Sequence, residues 1–307
     1  MPKFEYNDYW FNYVLNADPH EIKNIIKEEY ITSDGLKIHI DIYDKEESLN
    51  KTVIFIHGTS VYSRFYAEFL YNLFQKGFRI VAPDMIGHGL SEGKRGHFTM
   101  EKFTNTIYDV NNYVRKNFGE SVAVMGSSLG GITTLYSVAY DKRFKAGICH
   151  NAAIFNEEAY KKILKIEGKL KDLASEVPML AKSAPKSRLS VFTYLDFYKL
   201  AKSEDIIKRI DLLMKDKILS DKYSMTAIYT QMSAPLARQI EKIDTPIMII
   251  NGDEDVLFTV DYMQEIYDRL KCKDKKLEIL KGASHLILHE NIEEVIKRII
   301  PWLKIHL

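Results

Sequence analysis

The stretch from Ser121 to Tyr136 constrains this chain more than any other. Val122 to Met125 is a short run of β-branched and small apolar residues with the length of a buried strand. Leu129 to Tyr140 has helical length and spacing, and Gly126-Ser127-Ser128-Leu129-Gly130 lies between them. A chain that passes from strand to helix in so few residues turns sharply, and a serine at the apex needs small neighbours two positions to either side. Of the two adjacent serines, only Ser128 has glycine at both places. The turn exposes its hydroxyl and leaves the next backbone N–H at a helix start, where negative charge is favoured. Such a serine is a nucleophile if the rest of the chain supplies a base, an acid and a second N–H donor.

The surrounding sequence repeats the strand-then-helix pattern. Val53–Ile56, Arg79–Ala82, Val122–Met125, Ala146–Cys149, Ile247–Ile250 and Leu277–Leu280 read as short strands, most followed at once by Gly, Asp or His. Helical segments fall between them at Tyr66–Lys76, Met100–Phe118, Leu129–Tyr140, Val260–Leu270 and Ile292–Leu303. This alternation predicts an α/β fold with a mostly parallel central sheet of about eight strands, covered by helices on both faces. Ligands bind such sheets beyond the carboxyl ends of the strands. Ahead of the alternation, Ile25–Thr32 and Leu36–Tyr43 flank an Asp34-Gly35 turn and read as an antiparallel hairpin with one wet face, His39 on its exposed side.

Residues 1–20 are rich in aromatics (Phe4, Tyr6, Tyr9, Trp10, Phe11, Tyr13), and Asn7 or Asp8 can cap a short helix there with Trp10, Tyr13 and Val14 on one side. An arm packed on the domain is expected. From Asn151 to Lys242 the strand signal is missing; helical stretches such as Glu157–Leu173 and Ser203–Lys215 alternate with Pro178, Pro185 and Pro235. This predicts a helical cap, residues 151–242, inserted after the sixth strand of a core made of residues 21–150 and 243–307.

Bulk properties narrow the partners. A chain of 307 residues holds one large domain or a domain with an insertion, and 46% hydrophobic with 28% charged residues is ordinary for a soluble globular protein. A net charge of +1 gives no reason to expect nucleic acid or an anionic membrane. Cys149 and Cys272 are too few for a disulfide framework and lack metal-ligand spacing, and Cys149 is expected in the core. No run approaches the roughly 18 apolar residues of a membrane span, and the first residues lack an uninterrupted apolar stretch, so a cytoplasmic enzyme is expected. Neither a metal motif nor a phosphate loop is present, and no cofactor is expected.

The remaining chemistry gathers after predicted strands. On this architecture a serine nucleophile is followed in the chain by an acid and then a histidine. Asn251-Gly252-Asp253-Glu254-Asp255 supplies acids after one strand, and Lys281-Gly282-Ala283-Ser284-His285 supplies a histidine after the last. His289 lies one turn later, at the expected start of the final helix. His57-Gly58-Thr59 ends the third strand, so the Thr59 N–H can face that of Leu129 and form an oxyanion site. His57, Asp84 and His88 read as loop supports.

With these motifs in place, the chain resembles the α/β-hydrolase superfamily, and within it the monoglyceride lipase, lysophospholipase and serine aminopeptidase-like group. The resemblance rests on Phe-Ile-His57-Gly58, Pro83-Asp84 leading into Gly87-His88-Gly89-Leu90-Ser91-Glu92-Gly93, Gly126-Ser127-Ser128-Leu129-Gly130-Gly131, Gly252-x-x-Asp255 and Gly282-x-x-His285. It implies Ser128 as nucleophile, Asp255 as orienting acid in preference to Asp253, His285 as base, and Thr59 and Leu129 as oxyanion donors. After His57-Gly58 this chain continues Thr59-Ser60-Val61, where monoglyceride lipases usually place a second small residue and an acid.

The expected activity is hydrolysis of carboxylic esters through an acyl-enzyme, on a small-molecule acyl ester such as a monoacylglycerol or lysophospholipid. Contact with a lipid surface through the cap or the arm is at most transient. Amide cleavage, carbon–carbon bond hydrolysis and acyl transfer use the same three groups, and the fold also serves ligand receptors; the residues alone leave these open.

Overall fold

The computed structural model describes residues 8–44, 51–164 and 169–307. Phe4, Tyr6, Asn7, most of the loop before the third strand, and Ile166 lie outside the described residues.

The central sheet is built from β1 (Ile26–Ser33), β2 (Leu36–Tyr43), β3 (Lys51–Ile56), β4 (Arg79–Pro83), β5 (Ser121–Ser127), β6 (Ala146–His150), β9 (Ile247–Gly252) and β10 (Lys275–Leu280). Its eight strands run in the order β1-β2-β4-β3-β5-β6-β9-β10, and only β2 is antiparallel to the rest. Two three-residue strands, β7 (Arg188–Ser190) and β8 (Lys222–Ser224), pair antiparallel apart from it.

The helices are α1 (Pro19–Ile25), α2 (Ala67–Phe74), α3 (Met100–Phe118), α4 (Leu129–Tyr140), α5 (Ala159–Leu164), α6 (Lys169–Ser183), α7 (Glu204–Leu213), α8 (Met225–Ser233), α9 (Val260–Arg269), α10 (Ile287–Glu290) and α11 (Ile292–His306). Crossovers between parallel strands are right-handed, so the direction of each step in the sheet decides which face its helix covers. The step from β3 to β4 runs one way and the steps from β4 to β5 and β5 to β6 run the other. Accordingly α2 packs with α11, and α3 packs with α4. Covered on both faces, β3, β5, β6 and β9 are buried along nearly their whole length, which is why their sequences are continuous apolar runs.

Three expectations change. β2 has no wet face: residues 38–43 are all buried, His39 included. The alternation misleads because the polar side of β2 is covered by an ion-pair network. Arg64 donates through Nε (2.9 Å) and Nη2 (2.8 Å) to Asp41, and His39 Nδ1 bonds Asp84 at 3.0 Å. Apart from the turn and Lys37, the hairpin's exposed residues are those of β1, the edge strand. The segment 151–242 does contain strand, β7 and β8, each too short to show a period of two. In the arm, a single 3-10 turn (Phe11–Tyr13) forms without a side-chain cap. Trp10, Tyr13 and Val14 nevertheless pack inward as expected, and Leu15 and Asn16 N–H groups donate to Glu68 of α2.

The insert after β6, residues 151–242, rests on the loops at the carboxyl ends of the strands. Tyr223 of β8 accepts the Ser60 N–H at 2.8 Å and bonds His88 Nε2 at 3.0 Å. Ser220 and Ser224 N–H groups donate to the Ser60 and Gly96 carbonyls. Among the described residues no helix is long and apolar enough to cross a membrane.

Candidate active site

β5 delivers Ser128 to the carboxyl edge, and α4 starts at the next residue. Ser128 has φ 55° and ψ −118°, a region that costs a non-glycine residue about 1–3 kcal/mol and that side chains hold only when the surroundings enforce it. Two glycines allow the turn. A Cβ on Gly126 would lie 2.2 Å from the Gly130 carbonyl oxygen, and one on Gly130 would lie 2.1 Å from that of Ile56. The Ser128 N–H donates to the His150 carbonyl at 2.9 Å, pinning the turn to β6.

His285, in the loop after β10, directs Nδ1 to Asp255 Oδ2 at 2.8 Å. The carboxylate is held by more than that one contact. Its Oδ1 accepts the N–H groups of Leu257 (2.8 Å) and Phe258 (3.0 Å), and Oδ2 also accepts Asn151 Nδ2 at 3.1 Å. Burial raises the Asp255 pKa, but the His285 ring and these donors outweigh it and hold the carboxyl below its ordinary range. Since a carboxylate only accepts, Nδ1 carries a proton, and in the neutral ring the lone pair is therefore on Nε2. The Phe258 ring stacks near His285, centroids 5.7 Å apart.

The competing residues are engaged elsewhere. Asp253 accepts the Gly282 N–H at 2.6 Å and Glu254 pairs with Lys202 on the surface. His289 lies in α10, one turn before α11 and not at its start; its Nε2 bonds the Phe65 carbonyl, and burial presses its pKa down to about 4. His57 bonds the Gly58 carbonyl through Nδ1 and accepts the Met85 N–H at Nε2. Asp84 accepts N–H groups of Ser63 and Leu90. Both hold loops, as does His88.

Thr59 lies beside Ser128 on the walls of two cavities. Among the described residues, neither the Thr59 N–H nor the Leu129 N–H has a protein acceptor. One cavity runs toward the insert and is lined by apolar side chains including Ile132, Phe155, Ile163, Leu173, Leu189 and Met232, with no charged residue among the described ones. The other is bounded by Tyr13, Phe65, Tyr66, Arg209 and His285. Ser128, Thr59 and Leu195 belong to both.

Sequence reasoning missed His150, Asn151 and Tyr66. Ser127 Oγ and His150 Nδ1 are 2.9 Å apart, and burial, joined by the His285 ring 5.5 Å away, pushes the His150 pKa down to about 3. His150 and Asn151 directly follow the apolar run Ala146–Cys149, the same signal that marked His57 and Asp255. Tyr66, whose hydroxyl accepts the Gly58 N–H at 3.3 Å, directly precedes α2 and carries no such signal.

Among the described residues two side-chain groups are close enough to surround a cation: His150, Asp255 and His285, and Glu28, His39 and Asp41. In the first, the lone pairs of Asp255 Oδ2 are taken by Asn151 and the His285 Nδ1–H. In the second, Arg64 already supplies the positive charge. Neither donor set fits a resident metal.

Residues 47–292 match the serine aminopeptidase S33 family. The chain is 26% identical over 264 residues to the human monoglyceride lipase, covering 82% of this chain and 81% of that one. It is 24% identical over 280 residues to an uncharacterized abhydrolase domain-containing protein of Dictyostelium discoideum, spanning 89% of this chain but only 28% of that much longer protein. The crystal structure of a Paleococcus ferrophilus monoacylglycerol lipase superposes with a TM-score of 0.74 at 25% identity, over 88% of this chain and 99% of that one.

Proposed function

The chain belongs to the serine aminopeptidase S33 family of α/β-hydrolases, and from that footing we propose that it is a serine hydrolase of carboxylic esters, with Ser128 as nucleophile. The observation that carries this reading is a single cavity wall holding both Ser128, on its strained turn, and His285, whose far nitrogen is fixed by Asp255. His285 Nε2 takes the Ser128 proton, and Oγ attacks the acyl carbonyl. The Thr59 and Leu129 N–H groups receive the oxyanion; losing one such donor costs about 3 kcal/mol. His285 then protonates the departing alcohol, and water repeats the sequence on the acyl-enzyme. Asp255 keeps the ring oriented and stabilises the imidazolium.

Residues 151–242 act as a cap on the core of residues 21–150 and 243–307, and their uncharged cavity shelters the acyl chain. Similarity to the monoglyceride lipase and monoacylglycerol lipase supports an ester of monoacylglycerol type; a lysophospholipid-type ester and a cytoplasmic setting belong to the same proposal. The Thr59-Ser60-Val61 sequence gives this chain a leaving-group side of its own.

A fluorophosphonate probe should label the protein and leave Ser128→Ala untouched; equal labelling of both removes the assignment. Profiling p-nitrophenyl esters of increasing chain length beside monoacylglycerols should show a rise with chain length. Turnover of aminoacyl anilides with no ester cleavage would move the reading to amide hydrolysis.

A further inference from the structure

We infer that the second cavity at Ser128 selects esters whose leaving alcohol carries an anionic group, carboxylate or phosphate, with Arg209 as the residue that reads it. The inference rests on the ester-hydrolase reading above and names the chemistry of its leaving group. Helix α7 presents Ile206, Arg209, Ile210 and Leu213 to this cavity, the spacing of one helix face. Three of these are apolar, and one is a guanidinium.

That guanidinium lacks the partners most other arginines have; Arg95 and Arg238, also without a carboxylate, donate to backbone carbonyls. Arg64, Arg143, Arg269 and Arg298 each pair with a carboxylate. Among the described residues Arg209 has no ion pair, and its Nε is buried without a hydrogen-bond partner. The nearby acids are committed elsewhere. Asp205 faces Lys208, Asp211 accepts the Tyr198 hydroxyl at 2.6 Å, and Asp216 accepts both the Tyr13 and the Tyr62 hydroxyls. Among the described residues no Asp or Glu lines the cavity, whose other walls include Val61, Phe65, Phe197 and Leu200.

A shielded guanidinium nitrogen in an apolar wall is a cost unless an anion completes it. The planar fork of arginine matches carboxylate and phosphate oxygens better than a neutral diol. Among the described residues the first cavity has no charged wall residue, and the two share Ser128. A substrate lying across the serine therefore places an uncharged chain on one side and its charge on the other.

The test compares kcat/KM for decanoyl esters that differ only in the alcohol: O-decanoyl glycolate, decanoylglycerol 3-phosphate, monodecanoylglycerol and decanoylcholine. The wild type should prefer the two anionic esters over the neutral one, and the neutral over the cationic. Comparing the glycolate with the phosphate ester shows which anion the site favours. Arg209→Gln should lower the anionic-to-neutral ratio about 10- to 100-fold, and Arg209→Lys, which keeps the charge without the fork, should lower it less. A purely structural role would depress all four esters alike and leave the ratio unmoved, which overturns the inference, as does a wild-type ratio at or below one. Fluorophosphonate labelling in parallel separates the two levels. Labelling without anionic preference sinks this inference alone; no labelling and no ester turnover sinks the hydrolase reading beneath it.

Discussion

Two buried histidine–aspartate pairs stand at the same edge of the sheet, and they differ in everything except their geometry. His39 Nδ1 lies 3.0 Å from Asp84 and His285 Nδ1 lies 2.8 Å from Asp255. Burial works against the charged form of His39, yet Asp41, Asp84 and Glu28 overcome it and push its pKa up to about 10. That ring holds its proton at neutral pH and serves as a cation among carboxylates that Arg64 also neutralises. His285 faces one carboxylate, and its ring reaches a cavity wall shared with Ser128. The same histidine–acid geometry thus serves two ends; access and the number of neighbouring charges separate the proton carrier proposed at His285 from the structural ion pair at His39.

The comparison breaks first at the chemistry. Ser128→Ala should cut kcat by about four to six orders of magnitude, and Asp255→Asn by about four, with thermal unfolding nearly unchanged. A loss of a few-fold in either would place the chemistry elsewhere. His39→Gln should do the reverse. Leaving Asp41 and Asp84 short of a buried positive partner should cost about 3–5 kcal/mol of stability in denaturant titrations, while kcat of the folded protein stays within a few-fold. Strong inactivation of a well-folded His39→Gln protein would erase the distinction drawn between the pairs.

The pH dependence of stability sharpens the same point. His39 is raised from an ordinary value of 6.5 to about 10, so its contribution is complete below about pH 6.5 and fades as the pH climbs toward 10. Glu28 moves the other way. The protonated His39 ring, with Nε2 3.8 Å from its carboxylate, opposed by partial burial and helped by Arg64, lowers it from 4.5 to about 2, so its contribution is present above pH 4.5 and fades toward pH 2. Wild-type unfolding midpoints should fall at both extremes, and His39→Gln should flatten the alkaline limb; an unchanged alkaline limb contradicts the assignment. The smallest effect concerns the arm. Tyr13→Phe loses one hydrogen bond to Asp216, and about 1 kcal/mol should disappear from thermal stability.

The core and its serine turn are legible in the sequence because each signal is local. Met100–Phe118 is bounded by a Thr99 cap and by Gly119 at φ 106°, and Leu129–Tyr140 by the strained turn itself. Asp255 and His285 could be found because each follows a glycine just beyond an apolar strand. His39 was misread for the opposite reason: the residues that bury it, Arg64 and Asp84, are distant in sequence, and alternation reports polarity without saying what covers it. The insert was legible only as an interruption. Its two short strands carry too few residues for a period, and Tyr223, which ties it to Ser60 and His88, is one tyrosine among 19.

The central claim is that the serine at the apex of the turn, and not its neighbour, forms the covalent intermediate. Peptide mapping by mass spectrometry after fluorophosphonate treatment tests it directly, because Ser127 and Ser128 are adjacent and both line the second cavity. The account predicts one adduct, on Ser128, that disappears in Ser128→Ala and persists in Ser127→Ala. An adduct on Ser127, or one that survives in Ser128→Ala, would contradict it.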